Sequence, residues 1–118
     1  MEYEHFYLVV AYIPTAGENL ERLEYKVNQY EKVFYKHCAK LLDKKHVIVV
    51  GDLNVCHTVL DMHVPKVVRK YQGKHPSSTT KEKTNFEKFL NIGFVDTFRR
   101  LNPGKKKYSW YNIKRLGR

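Results

Sequence analysis

Cysteines are scarce in this sequence, and long apolar runs are absent. The two cysteines, Cys38 and Cys56, do not have the spacing of a metal-binding motif, so we expect reduced thiols and an intracellular protein. No apolar stretch approaches the roughly 20 residues that a membrane-spanning helix needs, and we expect no membrane partner. Residues 1–5 are acidic and lead into a strand-like segment, so we expect no secretory signal there.

Acidic residues are also scarce in the second half of the chain. Residues 61–118 contain 15 Lys and Arg against 4 Asp and Glu, whereas residues 1–60 contain 7 against 8. The formal net charge of +10 is therefore concentrated in one half. This distribution favours a polyanionic partner such as nucleic acid, although a basic surface that is merely solvated would have the same composition.

Two apolar segments are predicted as strands, and a helix is predicted between them. Residues 6–12 and 46–50 are rich in β-branched or aromatic residues, and the second segment lacks alternation, which is typical of a strand buried on both faces. Apolar residues repeat at three- and four-residue spacing over 19–43, with Asn19 as the expected N-cap. A strand–helix–strand unit of this kind makes a parallel pair.

Candidate site residues follow both predicted strands. Tyr12 ends the first strand, and Asp52 follows the second, so parallel pairing would bring both side chains to one edge of the sheet. Asn54 lies two residues beyond Asp52 and would point the same way on an extended chain. A carboxylate beside an amide can hold a hydrated cation or orient a water molecule. The alternative is that Asp52 simply caps a turn.

The second half is predicted to contain a basic loop, a helix and a short aromatic strand. Thr79 or Thr80 is expected to cap a helix that runs to about Asn91, and residues 108–111 are expected to form the strand. Asp96 is expected to accept hydrogen bonds from loop amides rather than to act in catalysis. Residues 63–78 are predicted as a surface loop that either follows a phosphate backbone or is simply solvated. Its basic residues are Lys66, Arg69, Lys70 and Lys74.

Several motifs together resemble the exonuclease III family of apurinic/apyrimidinic (AP) endonucleases. They are Tyr-Ile-Pro-Thr-Ala-Gly at 12–17, Arg-Leu-Glu-Tyr at 22–25, Gly-Asp-Leu-Asn-Val at 51–55, Asp-Thr-Phe-Arg at 96–99 and Tyr-Ser-Trp at 108–110. Their order and spacing agree with the family along nearly the whole chain, apart from the basic loop. Gly-Asp-x-Asn-Val is shared with the wider DNase I-like superfamily, and the combination points to the AP endonuclease branch.

The resemblance implies a fold and an activity. The fold is α/β, part of a four-layer sandwich in which helices flank two packed β-sheets. The activity is hydrolysis of the phosphodiester 5′ to an abasic site in double-stranded DNA, with Mg²⁺ or Mn²⁺ as cofactor. Tyr12 matches the tyrosine that contacts the scissile phosphate, and Asp52 matches the aspartate that orients or deprotonates the attacking water. Asn54 matches the asparagine that positions this aspartate and the phosphate.

The resemblance also implies the remaining site assignments. Asp52 and Asn54 are expected to contribute to the metal site, and Trp110 matches an aromatic position near the DNA, expected to pack first and contact DNA second. The expected DNA contacts are Lys66, Arg69, Lys70, Lys74 and Trp110. A DNA-repair nuclease of this family would work in the nucleus, in a mitochondrion or other DNA-containing organelle, or in a bacterial cytoplasm.

The chain departs from the family pattern in three ways. Thr15 stands where the family usually has Asn, and Val64-Pro65-Lys66 replaces Asn-Pro-Lys. Residues 1–118 match the central portion of the endonuclease/exonuclease/phosphatase domain, and no residue here matches the family's metal-binding Glu or catalytic His. His57 is interpreted as a local structural residue. We therefore expect the 118 residues to be inactive or nearly so by themselves.

Two other functions and one physical property are also considered. The chain could be a non-catalytic nucleic-acid-binding module that uses its basic half, which predicts strongly salt-dependent binding without cleavage. It could also be another DNase I-like phosphoesterase, such as a phosphoinositide phosphatase or a retroelement endonuclease. Because a partial domain buries less surface than a complete one, we expect self-association through exposed sheet edges.

Overall fold

Two strands and several helices account for the regular structure of the described residues. A computed structural model of the chain describes residues 1–63 and 74–110. The strands are β1 (Phe6–Tyr12) and β2 (His46–Asp52), and a continuous helical stretch joins them. It consists of α1 (Leu23–Tyr25), a π-helix (Lys26–Tyr30) and α2 (Glu31–Leu42). A 3₁₀ turn (Val59–Asp61), α3 (Thr80–Asn91) and α4 (Thr97–Leu101) follow β2.

β1 and β2 form a parallel pair, as the sequence predicts. The register begins with Phe6 opposite His46 and ends with Tyr12 opposite Asp52. Parallel strands need a crossover connection, which here is the helical stretch from α1 to α2. The carboxyl ends of both strands consequently lie side by side at one edge.

β2 is not buried on both faces, which corrects the prediction for residues 46–50. Successive side chains of a strand point to opposite faces, and Val49 contacts the core beneath the helices. On the opposite face Val10, Ile48 and Val50 are 67%, 46% and 43% exposed. Among the described residues, helices cover one face of the sheet, so the β-branched composition reflects strand propensity here rather than burial on both sides.

The N-cap of the connecting helix lies three residues later than predicted. Leu20 has a φ of 61°, a left-handed conformation that a helix cannot include, and its amide donates to the carbonyl of Gly17. The helix therefore starts at Leu23, and Arg22 occupies the N-cap position without a side-chain hydrogen bond. Asn19 lies in the preceding turn and is not the N-cap.

The apolar core lies between α2, α3 and the sheet. Cys38, Phe86 and Phe89 are buried together. The ring of Phe89 stacks on those of Tyr35 and Phe94, with ring centroids 4.7 and 4.4 Å apart. These aromatic rings thus pack the two helices on one face of the sheet. Both cysteines are free thiols. No helix in the described ranges is long and apolar enough to cross a membrane.

The predicted features of the second half have mixed outcomes. Thr79 caps α3 in a capping box with Glu82, and the helix ends at Asn91, as predicted. The Oδ1 atom of Asp96 accepts a hydrogen bond from the Arg99 amide at 2.9 Å, so Asp96 caps α4. Residues 108–110 do not form the predicted strand, because no described segment pairs with them; residue 111 lies outside the described ranges.

Candidate active site

Tyr12 and Asp52 are opposite one another at the carboxyl ends of the two strands. They are the last partners in the parallel register, and both side chains are exposed, that of Tyr12 to 66%. The backbone fixes both positions: the Ile13 amide donates to the Asp52 carbonyl at 2.8 Å, and the Tyr30 hydroxyl donates to the Tyr12 carbonyl at 3.3 Å. The predicted meeting of these residues at one edge is therefore what the structure shows. We call them the Tyr12–Asp52 rim.

Asn54 lies beneath the rim rather than beside Asp52 on an extended chain. Its φ of 47° is left-handed, which breaks the strand alternation assumed from the sequence. Its backbone amide donates to Oδ1 of Asp52 at 2.9 Å, and its side-chain Nδ2 donates to the Ile13 carbonyl at 2.8 Å. Asp52 thus does cap a turn, and Asn54 ties that turn to the end of β1.

Gly51 allows the two strand ends to approach each other closely. Its φ is +127°, and a Cβ built at this position would lie 2.0 Å from the carbonyl oxygen of Ala11. Only glycine avoids both the strained backbone and this clash. The Gly-Asp-x-Asn pattern therefore has a steric basis that is independent of any chemistry.

A buried ionic cluster lies behind the Asn54 turn. Lys26 is fully buried, and its Nζ donates to the Asn54 carbonyl at 2.6 Å and to Oε1 of Glu82 at 2.7 Å. Glu31 completes the cluster with Oε1 at 3.9 Å from the same Nζ, and burial raises the pKa of the Glu31 carboxyl. We call Lys26, Glu31 and Glu82 the buried cluster.

Sequence reasoning did not identify the buried cluster, although two signals for it exist. Lys26 follows Leu23 by three residues and precedes Val27, so it interrupts the apolar face of the helix. Glu82 lies three residues after Thr79, the spacing of a capping box. Neither signal says that the two charges meet, since 56 residues separate them.

A second ion pair holds the segment after β2. Arg99 donates to Oδ1 of Asp61 at 2.5 Å, and Thr58 donates to the other carboxylate oxygen from both its amide and its hydroxyl. Burial alone would raise the pKa of Asp61, but the Thr58 and Arg99 hydrogen bonds outweigh burial and lower it. This pair connects the 3₁₀ turn to α4.

The described residues can supply part of a coordination sphere for Mg²⁺. Oδ2 of Asp52 and Oδ1 of Asn54 accept no hydrogen bond from the described part of the chain, and both are the hard oxygen ligands that Mg²⁺ prefers. No group of three or more His, Cys, Asp or Glu within residues 1–63 and 74–110 could hold a metal ion. Because Mg²⁺ is often bound through one or two carboxylates and waters, the fit is partial.

The other predicted contacts are only partly within the described ranges. Lys66, Arg69 and Lys70 lie outside them, whereas Lys74 is described and exposed. Trp110 is 73% exposed, which is opposite to the expectation that it packs first.

His57 is placed as a local structural residue. Its Nε2 lies 3.4 Å from Oε1 of Glu87. Its ring packs edge-to-face with the ring of Phe86, with centroids 5.2 Å apart. Both partners belong to α3, so His57 packs on that helix.

Comparisons with known proteins agree with this geometry. The DNA-(apurinic or apyrimidinic site) endonuclease of Dictyostelium discoideum is 40% identical over 120 residues, which cover 100% of this chain. The exodeoxyribonuclease of Bacillus subtilis is 35% identical over 115 residues, 97% of this chain. The resemblance to the AP endonucleases is confirmed. No family model matches the chain.

The structural match to AP endonucleases confirms the fold class. The structure of an AP endonuclease from Archaeoglobus fulgidus superimposes with a TM-score of 0.79 and 24% identity over 92% of this chain. This match shows an α/β, DNase I-like fold. The chain spans 32% of the Dictyostelium relative, 44% of the Bacillus relative and 41% of the Archaeoglobus structure.

Proposed function

We propose that this chain carries the water-orienting part of an AP endonuclease active site. The observation that supports the proposal best is the Tyr12–Asp52 rim, where a phenol and a carboxylate are cross-strand partners at the end of a parallel pair. The match to an apurinic or apyrimidinic site endonuclease, at 40% identity, extends over the whole chain. Phosphodiester hydrolysis needs a base for the attacking water and donors for the phosphate oxygens, and the rim offers one of each.

Each rim residue has a defined role in this proposal. Asp52 uses Oδ1 to accept the Asn54 amide, so the carboxylate is held in one orientation and Oδ2 is directed at a water. The exposed Tyr12 hydroxyl donates to a non-bridging oxygen of the scissile phosphate. Asn54 positions Asp52 through its backbone amide, and its side-chain amide binds Ile13.

A divalent cation, Mg²⁺ or Mn²⁺, would be held by Asp52 with the help of Asn54 and of residues other than those described. When bound, it would stabilise the negative charge that develops on the phosphate. The structure supports this assignment through the two oxygen atoms that remain available at the rim.

We further propose double-stranded DNA with abasic sites as the substrate. The second half of the chain carries the positive charge, and Lys74 and Lys105–Lys107 are exposed in the described ranges. Lysines that neutralise phosphates strengthen DNA binding through counterion release. The exposed indole of Trp110 is available to stack on a base or to contact the sugar.

The activity is tested in a chimera. Residues 1–118 replace the matched 120-residue segment of the Dictyostelium AP endonuclease, and the chimera is assayed on a duplex with one abasic site in Mg²⁺. We expect incision 5′ to the abasic site that EDTA abolishes, and little or none by the 118 residues alone. Asp52→Asn should lower kcat by about 10³-fold, because the water loses its base.

Asp43→Asn is the matched control. Asp43 is an exposed carboxylate at the opposite end of α2 from the rim, so its removal should leave kcat unchanged. An inactive wild-type chimera, or full activity in the Asp52→Asn chimera, would contradict the proposal. Cleavage of a different phosphoester in a substrate panel would favour another DNase I-like phosphoesterase.

The second candidate function is non-catalytic binding of nucleic acid. It is favoured by the charge of residues 61–118. It predicts that the 118 residues bind duplex DNA with an affinity that falls steeply between about 50 and 200 mM salt. Binding that is independent of salt would exclude this function.

A further inference from the structure

We propose that Lys26 is a positioning residue for the Tyr12–Asp52 rim and acts through the backbone of Asn54. The proposal rests on the proposed function of the rim. Lys26 has no exposed surface, so it cannot contact a substrate directly. Within residues 1–63 and 74–110, its link toward the rim is a hydrogen bond of 2.6 Å from Nζ to the Asn54 carbonyl.

Asn54 connects Lys26 to Asp52 through its backbone. Asn54 has a left-handed backbone, and its amide orients Oδ1 of Asp52 at 2.9 Å. The Asn54 amide therefore bonds the Asp52 carboxylate, and the Asn54 carbonyl accepts from the Lys26 ammonium. Rotation of this residue would move the Asp52 carboxylate, and the hydrogen bond from Lys26 opposes that rotation.

Glu82 of α3 holds the Lys26 ammonium in place. Oε1 of Glu82 accepts from Lys26 at 2.7 Å and from the Ser77 amide at 3.1 Å, while Oε2 accepts from the Thr79 amide and hydroxyl at 3.1 and 2.7 Å. Glu82 is 1% exposed and is thereby fixed at the N-terminus of a 12-residue helix. The position of Lys26 is thus defined by a rigid element.

The π-helix orients Lys26 toward this partner. The Glu31 amide donates to the Lys26 carbonyl, five residues earlier, which widens the helix by one residue per turn. Lys26 and Glu31 are therefore both buried on the same side, and Asn85 donates to Oε2 of Glu31 at 2.7 Å. Single π turns of this kind often occur at functional sites.

The chemistry of the buried cluster also indicates positioning. An apolar side chain would fill the same space, and replacing a buried ion pair by apolar groups is often neutral or stabilising. An apolar residue could not donate to the Asn54 carbonyl, however. What the lysine adds is a directional bond from α3, through Glu82, to the turn that carries Asp52.

The test uses a double variant that removes the 2.7 Å ion pair and leaves Glu31 on its hydrogen bond from Asn85. Lys26→Met with Glu82→Gln removes both charges, and glutamine can keep the capping box of α3. In the chimera described above we expect kcat to fall about 100-fold, as for a misplaced catalytic group, with KM changed by less than about twofold. Lys32→Met, an exposed lysine of α2, is the control and should leave both constants unchanged.

A second measurement uses the 118-residue chain itself and does not depend on activity. By NMR, the hydrogen-exchange protection factor of the Asn54 amide should be at least about tenfold lower in the double variant than in wild type. The protection factor of the Phe89 amide in α3 should be unchanged. A merely structural role would lower both together. If the wild-type chimera is inactive, the proposed function fails, and the exchange measurement still decides the role of Lys26.

The proposal is overturned if the double variant keeps the wild-type kcat or the wild-type protection of Asn54. If the double variant loses its dispersed NMR spectrum, Glu82→Gln alone is used in the same two measurements. A neutral acceptor holds the ammonium less firmly, so kcat should fall about tenfold without a change in KM. An unchanged kcat would again overturn the proposal.

Discussion

The Asn54 side chain donates a hydrogen bond of 2.8 Å to the Ile13 carbonyl and so joins the segments that leave β1 and β2. The two residues are 41 positions apart in sequence. Ile13 is itself 2% exposed and donates its amide to the Asp52 carbonyl. This double connection makes the ends of the two strands one unit.

Asn54→Ala should destabilise the chain by about 2 kcal/mol, because it removes the bond to Ile13 and places alanine in a left-handed conformation. The measurement is the free energy of unfolding in urea. Asn28→Ala is the control, since the Asn28 side chain bonds an exposed glutamate one helical turn away. Equal stability of the two variants would contradict this account of the turn.

Gly51→Ala should cost more than about 2 kcal/mol of unfolding free energy, because the new Cβ would lie 2.0 Å from the Ala11 carbonyl oxygen at a φ of +127°. Gly104→Ala is matched to it, since a Cβ at Gly104 meets no atom within 4 Å. Urea titration of both proteins gives the comparison. A Gly51→Ala protein as stable as the Gly104→Ala protein would show that the strand ends lie farther apart.

The Asp61–Arg99 pair should make stability depend on pH. Because the folded-state pKa of Asp61 is lowered, its contribution is present at pH values above the usual aspartate range and is lost as the pH falls through the folded pKa. Asp61→Asn should therefore destabilise the protein by about 1 kcal/mol near pH 7, and the difference from wild type should shrink as the pH falls below the usual aspartate range. Unfolding free energies at several pH values provide the check.

The control for this pH series is Asp43→Asn, an exposed carboxylate that accepts no side-chain hydrogen bond from the described residues. Its stability should follow wild type throughout. If the difference between wild type and Asp61→Asn stays constant with pH, the ion pair is not the source of the effect.

The exposed face of the sheet should cause self-association. Val10 and Val50 are cross-strand partners that are 67% and 43% exposed, and a paired apolar row of this kind is open to a second copy of the chain. Sedimentation velocity should show concentration-dependent association that Val10→Lys reduces. Val59→Lys is the control, because Val59 is 62% exposed in the 3₁₀ turn, away from the sheet. A concentration-independent monomer would contradict this expectation.

Local features of the structure could be predicted from short stretches of sequence. The β-branched runs marked β1 and β2, and the Thr79–Glu82 spacing marked the start of α3, because strand propensity and helix capping depend on residues within a few positions. The start of the connecting helix was predicted three residues too early, since the left-handed Leu20 has no signal in its own residue type.

The sequence by itself determined the two strands, their parallel order and the meeting of Tyr12 with Asp52, because a helix of sufficient length between two strands allows few other arrangements. The tertiary structure alone decided the left-handed Asn54 turn, the exposure of one sheet face and the burial of Lys26. The Asn54 turn and the burial of Lys26 depend on contacts between residues 28 to 56 positions apart, such as Lys26 with Asn54 and with Glu82. Such contacts form only when the folded chain removes both partners from water, and local residue patterns do not encode that event.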